Sequence, residues 1–269
     1  MRIHTFAAIV FSLVLIGCGG SSDDDGGDGG GSSTGLLTNS CDVLGLKIFS
    51  GETCGGVERS PVVRIVTSLG AGTQGECSGT MITSSHVLTA GHCFPGGVSS
   101  VQAISVFVGG AEVSGVGLAI HPNYTEDAQN QAIFNDVAII ELENAVGVAP
   151  LPILLSDAVA AGEVIDIFGY GLDEQGTLGV LRSGQMGVDS VTANHIVAIY
   201  GDSGSNTCQG DSGGPAIQRT AAGPAIVGIT SSGTAAAQCG RGDVSLFANL
   251  QNPSLSSFVL GVAPATQVR

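Results

Sequence analysis

Cys208-Gln209-Gly210-Asp211-Ser212-Gly213-Gly214-Pro215 is the stretch that constrains the rest of this chain. It sets a serine among glycines, with an acid directly before it and a cysteine upstream. A serine hydroxyl is a weak nucleophile unless a base takes its proton and donors face the oxygen that becomes negative. Glycines let the backbone turn tightly and present N–H groups to that oxygen. A base stands in Thr89-Ala90-Gly91-His92-Cys93, and an acid to orient it in Asn135-Asp136-Val137-Ala138-Ile139-Ile140. The order along the chain is His, Asp, Ser.

These three segments resemble the signature blocks of the trypsin-like (chymotrypsin-family) serine endopeptidases, and the resemblance covers about Ile48 to Leu260. It implies an all-β fold of two six-stranded antiparallel β-barrels with a short C-terminal helix and a division near Ser156. It also implies peptide-bond hydrolysis through an acyl-enzyme, with His92, Asp136 and Ser212 as the catalytic residues. The backbone N–H groups of Gly210 and Ser212 would form the oxyanion hole. Asn206, Ser231, Gly233 and Ser245 would contact substrate. Asn206 holds the place where trypsin-type cleavage after Lys or Arg needs an acid, so a polar or mixed preference is expected. Asp243 lies close enough in sequence to restore a basic one. Ser232 stands where relatives usually carry Trp, which makes the floor under a bound peptide more open and polar. No cofactor or metal is expected. Polypeptide substrates, a protein inhibitor and an activating protease are the partners implied.

Composition agrees with an exported β-protein. Runs such as Val62–Val66, Val87–Thr89, Val101–Val108, Val137–Leu142, Val164–Phe168 and Ala225–Thr230 alternate with turn residues, and glycine is abundant at 43 residues. Period alone does not choose between sandwich and barrel. The formal charge is −15, with only 8 Lys and Arg, which argues against nucleic acid as a partner. At the C-terminus, Asn252 can cap a helix with Pro253 in its first position and Gly261 as its stop. His86, His121 and His195 lack the setting of His92 and read as structural or solvent-facing.

Met1-Arg2 and the apolar run Phe6 to Ile16 read as a secretory signal. Leu15-Ile16-Gly17-Cys18 resembles the bacterial lipoprotein processing box, which makes Cys18 the lipid site and a lipid anchor the only membrane contact. An ordinary signal peptide with an incidental cysteine is the alternative. Gly19, rather than Asp, after the cysteine favours the outer membrane. Gly19 to Gly35 alternates Gly, Ser and Asp, and reads as a solvated spacer. The expected organisation is residues 1–18 as signal peptide, 19–47 as linker and propeptide, and 48–269 as peptidase domain, with barrels at about 48–155 and 156–269.

Seven cysteines become six once Cys18 is set aside. By the resemblance, Cys77 pairs with Cys93 and Cys208 with Cys239, leaving Cys41 for Cys54. The spacings lack the CxxC pair of a zinc site. Lys47-Ile48-Phe49-Ser50-Gly51 resembles the family's zymogen activation site, with Phe-Ser where Val-Gly is usual. Cleavage after Lys47 would free an Ile48 ammonium to pair with Asp211. A Cys41–Cys54 bridge would then keep the propeptide attached. Two other classes compete: a catalytically silent binding module on the same fold, and an esterase, for which the Gly-x-Ser-x-Gly elbow and interleaved helices are lacking.

Overall fold

The structure is a computed structural model that describes residues 52–53, 57–70, 73–97, 103–127, 129, 132–201, 204–234 and 239–269. All of them lie in the compact unit Leu37–Arg269. Cys18, Cys41, Lys47, Ile48 and Cys54 fall outside the described residues.

In chain order the strands are β1 (Glu52–Thr53), β2 (Val62–Gly70), β3 (Thr73–Met81), β4 (His86–Thr89), β5 (Ala103–Val108), β6 (Ala111–Ile120), β7 (Thr125–Asp127), β8 (Ala132–Phe134) and β9 (Ala138–Leu142). After them come β10 (Val164–Gly169), β11 (Arg182–Gly187), β12 (Ser190–Val191), β13 (His195–Ile199), β14 (Pro215–Thr220), β15 (Gly223–Gly233) and β16 (Val244–Asn249). A single helix among the described residues, α1 (Pro253–Val262), ends the fold.

The first half is a closed six-stranded barrel in the order β2-β3-β4-β9-β6-β5. Its interior is filled by Val63, Ile65, Met81, Val87, Val106 and Ile140, all fully buried. Each such side chain contributes about 1.5–3 kcal/mol by leaving water. Neighbouring strands β7 and β8 form a hairpin on their own.

The second half corrects the expectation of two six-stranded barrels. It is an open eight-stranded sheet, β1-β11-β10-β14-β15-β16-β13-β12. Seven strands come from the C-terminal half, and β1 is contributed from the start of the chain, pairing Glu52 with Ser183 and Thr53 with Arg182. Both edge strands are two residues long, too short to build a closing ladder. Loop residue Ser205 takes up the edge of β11, donating its N–H to Gln185 O at 2.9 Å. Gly184 lets it lie flat, since a Cβ there would meet Ser205 Oγ at 2.1 Å.

A third apolar layer belongs to both halves. Val62, Ile82, Leu88 and Ile139 pack there with Phe168, Ile217, Ile229, Leu250 and, from α1, Leu255 and Val259. Asn252 caps α1 through its side chain, which accepts from Ser254 N at 2.9 Å. The helix continues through Gly261 to Val262, contrary to the expected stop, and Ala263 N closes it on Val259 O at 2.8 Å.

The two halves meet most tightly at Gly213, where φ is +81°. A Cβ there would lie 2.1 Å from Thr89 Oγ1 and 2.4 Å from Ser78 O. Gly213→Ala is therefore expected to cost about 2 kcal/mol or more, through overpacking and a disfavoured φ together. Denaturant unfolding of the two proteins measures it, and equal midpoints would refute the tight seam.

Candidate active site

His92 sits on a single 3-10 turn, Gly91–Cys93, directly after β4. The turn presses so close to its surroundings that a side chain on Gly91 would meet Tyr124 at 2.9 Å and Asp136 Oδ1 at 3.3 Å. Asp136 precedes β9, strand neighbour of β4, and so the barrel register delivers it beside the turn. Asn135, at φ +52°, bends the chain into that position, and its amide donates to Asn123 O at 2.8 Å.

The Asp136 carboxylate is fully buried. It accepts from His92 N at 2.9 Å, pairs with His92 Nδ1 at 2.7 Å, and accepts from Ser231 Oγ at 2.5 Å. Burial pushes its carboxyl up, but the bonds from His92 and Ser231 outweigh that and hold it below the ordinary range. With Nδ1 donating to the carboxylate, a neutral ring keeps Nε2 as its proton acceptor.

Ser212 reaches the same place from the second half. Its carbonyl accepts from Ser78 N at 2.8 Å and lies 3.8 Å from Cys93 Sγ. Among the described residues its hydroxyl has no hydrogen bond to the His92 ring. Hydrogen bonds of this kind often tighten only when substrate arrives.

Gly210 has φ +96°, and its carbonyl is fixed by Ser78 Oγ at 2.8 Å. The N–H groups of Gly210 and Ser212 have no acceptor among the described residues, whereas their neighbours Asp211 N and Gly213 N are bonded to Cys208 O and Thr230 O. Two free donors flanking a bonded one, beside a serine hydroxyl, can stabilise an oxyanion. Asp211 stands behind them, buried, accepting from Gly171 N and Cys208 N at 2.8 Å each. Burial pushes its carboxyl up to about 7, and the two backbone donors and the Arg182 charge only partly offset this. Gly169 and Gly171 make the room, since a Cβ on either would strike the Asp211 carboxylate.

A cavity of 210 Å³ opens beside Ser212, and Asn206, Ser231, Gly233, Asp243 and Ser245 are all among its walls. Asn206 is fully engaged: Nδ2 donates to Cys239 O at 3.0 Å, and Oδ1 accepts from Ser245 Oγ at 2.9 Å. Asp243 is only 4% exposed. The bridge Cys208–Cys239 closes two walls, with an S–S distance of 2.04 Å. A second bridge, Cys77–Cys93, flanks His92 with an S–S distance of 2.00 Å. Cys77, His92 and Cys93 cluster within metal-binding range of one another, but the bonded sulfurs are not thiolates and offer no such site.

The other histidines are held structurally. His86 Nδ1 pairs with Thr83 Oγ1 at 2.9 Å. His121 is buried edge-on against Phe258, its ring Nε2 on Ser254 Oγ at 3.2 Å, and burial lowers its pKa. His195 bridges the two halves, with Nε2 on Ile133 O at 2.7 Å, and so steadies the segment leading into Asp136. Sequence reading missed that bridge, as well as Ser78 and Arg182. The pair of glycines around Tyr170 was the one legible signal of the Asp211 pocket.

A protein-family model described as Trypsin matches residues 54–254. Serine protease filzig of Drosophila melanogaster is 31% identical over 134 residues, 45% of this chain, which spans 8% of that protein. Trypsin 5G1 of Aedes aegypti is 29% identical over 221 residues, 71% of this chain and 79% of that protein.

The raised Asp211 fixes the sign of a pH effect. The folded chain binds that proton more tightly than the unfolded chain, so the contribution is fully present below the ordinary value of 3.8. It is lost as pH rises through about 7. Asp136, held low, acts oppositely, and only below its ordinary value. Asp211→Asn should abolish the decline in stability of the uncut chain across that window, a decline on the order of a few kcal/mol. Chemical denaturation at a series of pH values reads this, and an unchanged slope would place the titration elsewhere.

Proposed function

The chain belongs to the trypsin family of serine endopeptidases, and from that premise we propose that it hydrolyses peptide bonds through a Ser212–His92–Asp136 triad and an acyl-enzyme. Ser212 Oγ attacks the scissile carbonyl while His92 Nε2 takes its proton. Asp136 holds the ring tautomer and stabilises the imidazolium. The carbonyl oxygen, now negative, is received by the N–H groups of Gly210 and Ser212. His92 then gives its proton to the leaving amine, and water releases the acyl group by the same steps in reverse. The observation that supports this most is the Asp136–His92 pair with Ser231 at its back, set next to two unmatched backbone donors. An extended substrate would add to the strand segment Ser231–Gly233.

The pocket favours polar or mixed side chains before the cut, because its floor is a neutral network of Asn206, Ser245 and Thr207. Asp243 in the wall is the one feature that favours a basic residue instead.

Activation follows the same reading: cleavage after Lys47, with the Ile48 ammonium pairing with Asp211. The docked strand β1 begins at Glu52, leaving four residues, or about 14 Å of extended chain, to carry the new terminus. Unpairing such a buried charge costs about 3–5 kcal/mol. A Cys41–Cys54 bridge would retain the propeptide, and a lipid on Cys18 would tether the enzyme to the outer membrane after export. Among the described residues no helix is long and apolar enough to cross a membrane.

Three outcomes are expected. A fluorophosphonate probe should label Ser212, and His92→Ala should lose turnover by about 10⁴-fold while His86→Ala keeps it. Absence of labelling in the wild type would support a silent binding module. N-terminal sequencing of active enzyme should read Ile-Phe-Ser-Gly, and activity with the Lys47–Ile48 bond intact would refute the switch. Chromogenic peptides varied only before the cut should show a mixed preference; strict cleavage after Arg would implicate Asp243.

A further inference from the structure

Arg182, in the second half, makes four side-chain hydrogen bonds, and the proposed triad does not use it. It is 8% exposed. Its Nη1 donates to Gly171 O at 3.1 Å, Thr177 O at 3.2 Å and Val180 O at 3.4 Å, and its Nη2 to Asp173 Oδ2 at 2.5 Å. These acceptors all lie on the loop between β10 and β11. One planar fork thus gathers both ends of the loop and its middle.

That loop is the outer wall of the oxyanion segment. Gly171 N donates to Asp211 Oδ1, and Leu172 N donates to Gln209 O at 2.9 Å. Leu178 lies over Gly210, its Cδ1 2.7 Å from where a Cβ would stand. Asp173 shapes the loop interior, its Oδ1 accepting from Gln175 N at 3.0 Å and Thr177 N at 2.7 Å. The backbone of Arg182 meanwhile pairs with Thr53 of β1. One residue therefore touches the docked N-terminal strand through its main chain and the oxyanion wall through its side chain.

We infer that Arg182 is a positioning residue for the oxyanion hole, clamping the Gly171–Val180 loop so that Gly171 and Leu178 hold Gly210–Ser212 in its donor-presenting turn. This rests on the endopeptidase reading above. The guanidinium touches neither substrate nor reacting atoms. It acts through the loop, and it ties the docking of β1 to the order of the hole.

The test compares two inhibitors on matured enzyme. In a peptide aldehyde, with the residue before the cut fixed by the chromogenic panel, Ser212 Oγ bonds to the carbonyl carbon as the C=O π pair moves onto its oxygen. The proton passes to His92 and the new oxygen anion sits on the two N–H groups. The matching peptide alcohol fills the same pocket without that addition. In Arg182→Gln the aldehyde inhibition constant should rise about tenfold or more, while that of the alcohol stays within about twofold. Arg182→Lys should recover little of the loss, because an ammonium cannot span three carbonyls and a carboxylate. Should Arg182→Gln fail to melt cooperatively, Asp173→Asn carries the test. It keeps the Oδ1 acceptor, cuts the carboxylate end of the clamp, and should show the same split at smaller size. An unchanged aldehyde constant, parallel loss of both inhibitors, or full recovery in Arg182→Lys would each overturn the inference. Failure of the wild type to label with fluorophosphonate would instead remove the endopeptidase reading, and the inference with it. Labelling of the wild type with variants indistinguishable from it would remove the inference alone.

Discussion

The close approach at Gly213 governs where everything else can be. Two separately organised halves must bring a serine from one to an imidazole of the other, and side chains at the contact would hold them apart. Gly213 lies against Thr89 and Ser78 of the first half at distances no Cβ tolerates, and within the second half Gly214 lies as close to Phe168 O. Ser78 then binds the nucleophile segment twice, through its N–H to Ser212 O and its hydroxyl to Gly210 O. Its own carbonyl is fixed by Thr89 Oγ1, three residues before His92. The nucleophile turn is thereby anchored to the strand that carries the base. The apolar layer shared by both halves is what makes this contact rigid enough to matter.

Two buried carboxylates receive opposite treatment around this contact. Asp136 has three donors within 2.9 Å, and its charge is the favoured state. Asp211 has two backbone donors and a cation engaged elsewhere, so burial dominates. The difference suits the roles proposed for them. An acid that must orient an imidazole has to be charged in the resting protein. An acid left short of partners is a vacancy in charge that an arriving ammonium can fill.

Much of this was legible because the residues involved are chemically extreme. His92, Asp136 and Ser212 sit in segments whose glycines and order leave few readings, and the Val- and Ile-rich runs mark β2, β4, β5, β9, β10 and the core of β15. Strands β6, β13, β14 and β16 matched none of those runs, and neither did β3 and β11. Their sequences, Thr73–Met81 and Arg182–Gly187, are rich in Gly, Ser and Gln, and they are strands because their neighbours leave ladders to fill. Barrel closure was likewise hidden. It depends on whether two distant edges meet, and in the second half the edge of β11 is taken by β1 and Ser205 instead. Arg182 and His195 carry no motif, since most of what Arg182 binds and what His195 Nε2 binds is main-chain carbonyl.

The proposed activation segment and oxyanion hole would communicate through main-chain carbonyls of this kind. A backbone carbonyl has no sequence signature, yet its position encodes the path of a whole loop. Arg182 reads three such carbonyls at once, on a strand whose main chain also receives Thr53. Through Arg182 that strand is tied to the loop whose Gly171 N–H donates to Asp211. Asp211 directly precedes Ser212, and its carboxylate accepts from both Gly171 N and Cys208 N, which ties the segment before Ser212 to that loop. On the proposed activation, the loop clamp and the Ile48 ammonium would both act by satisfying this one buried acid. Neither would need to touch substrate to change the rate, because each would act on geometry that the negatively charged intermediate senses more than the substrate does.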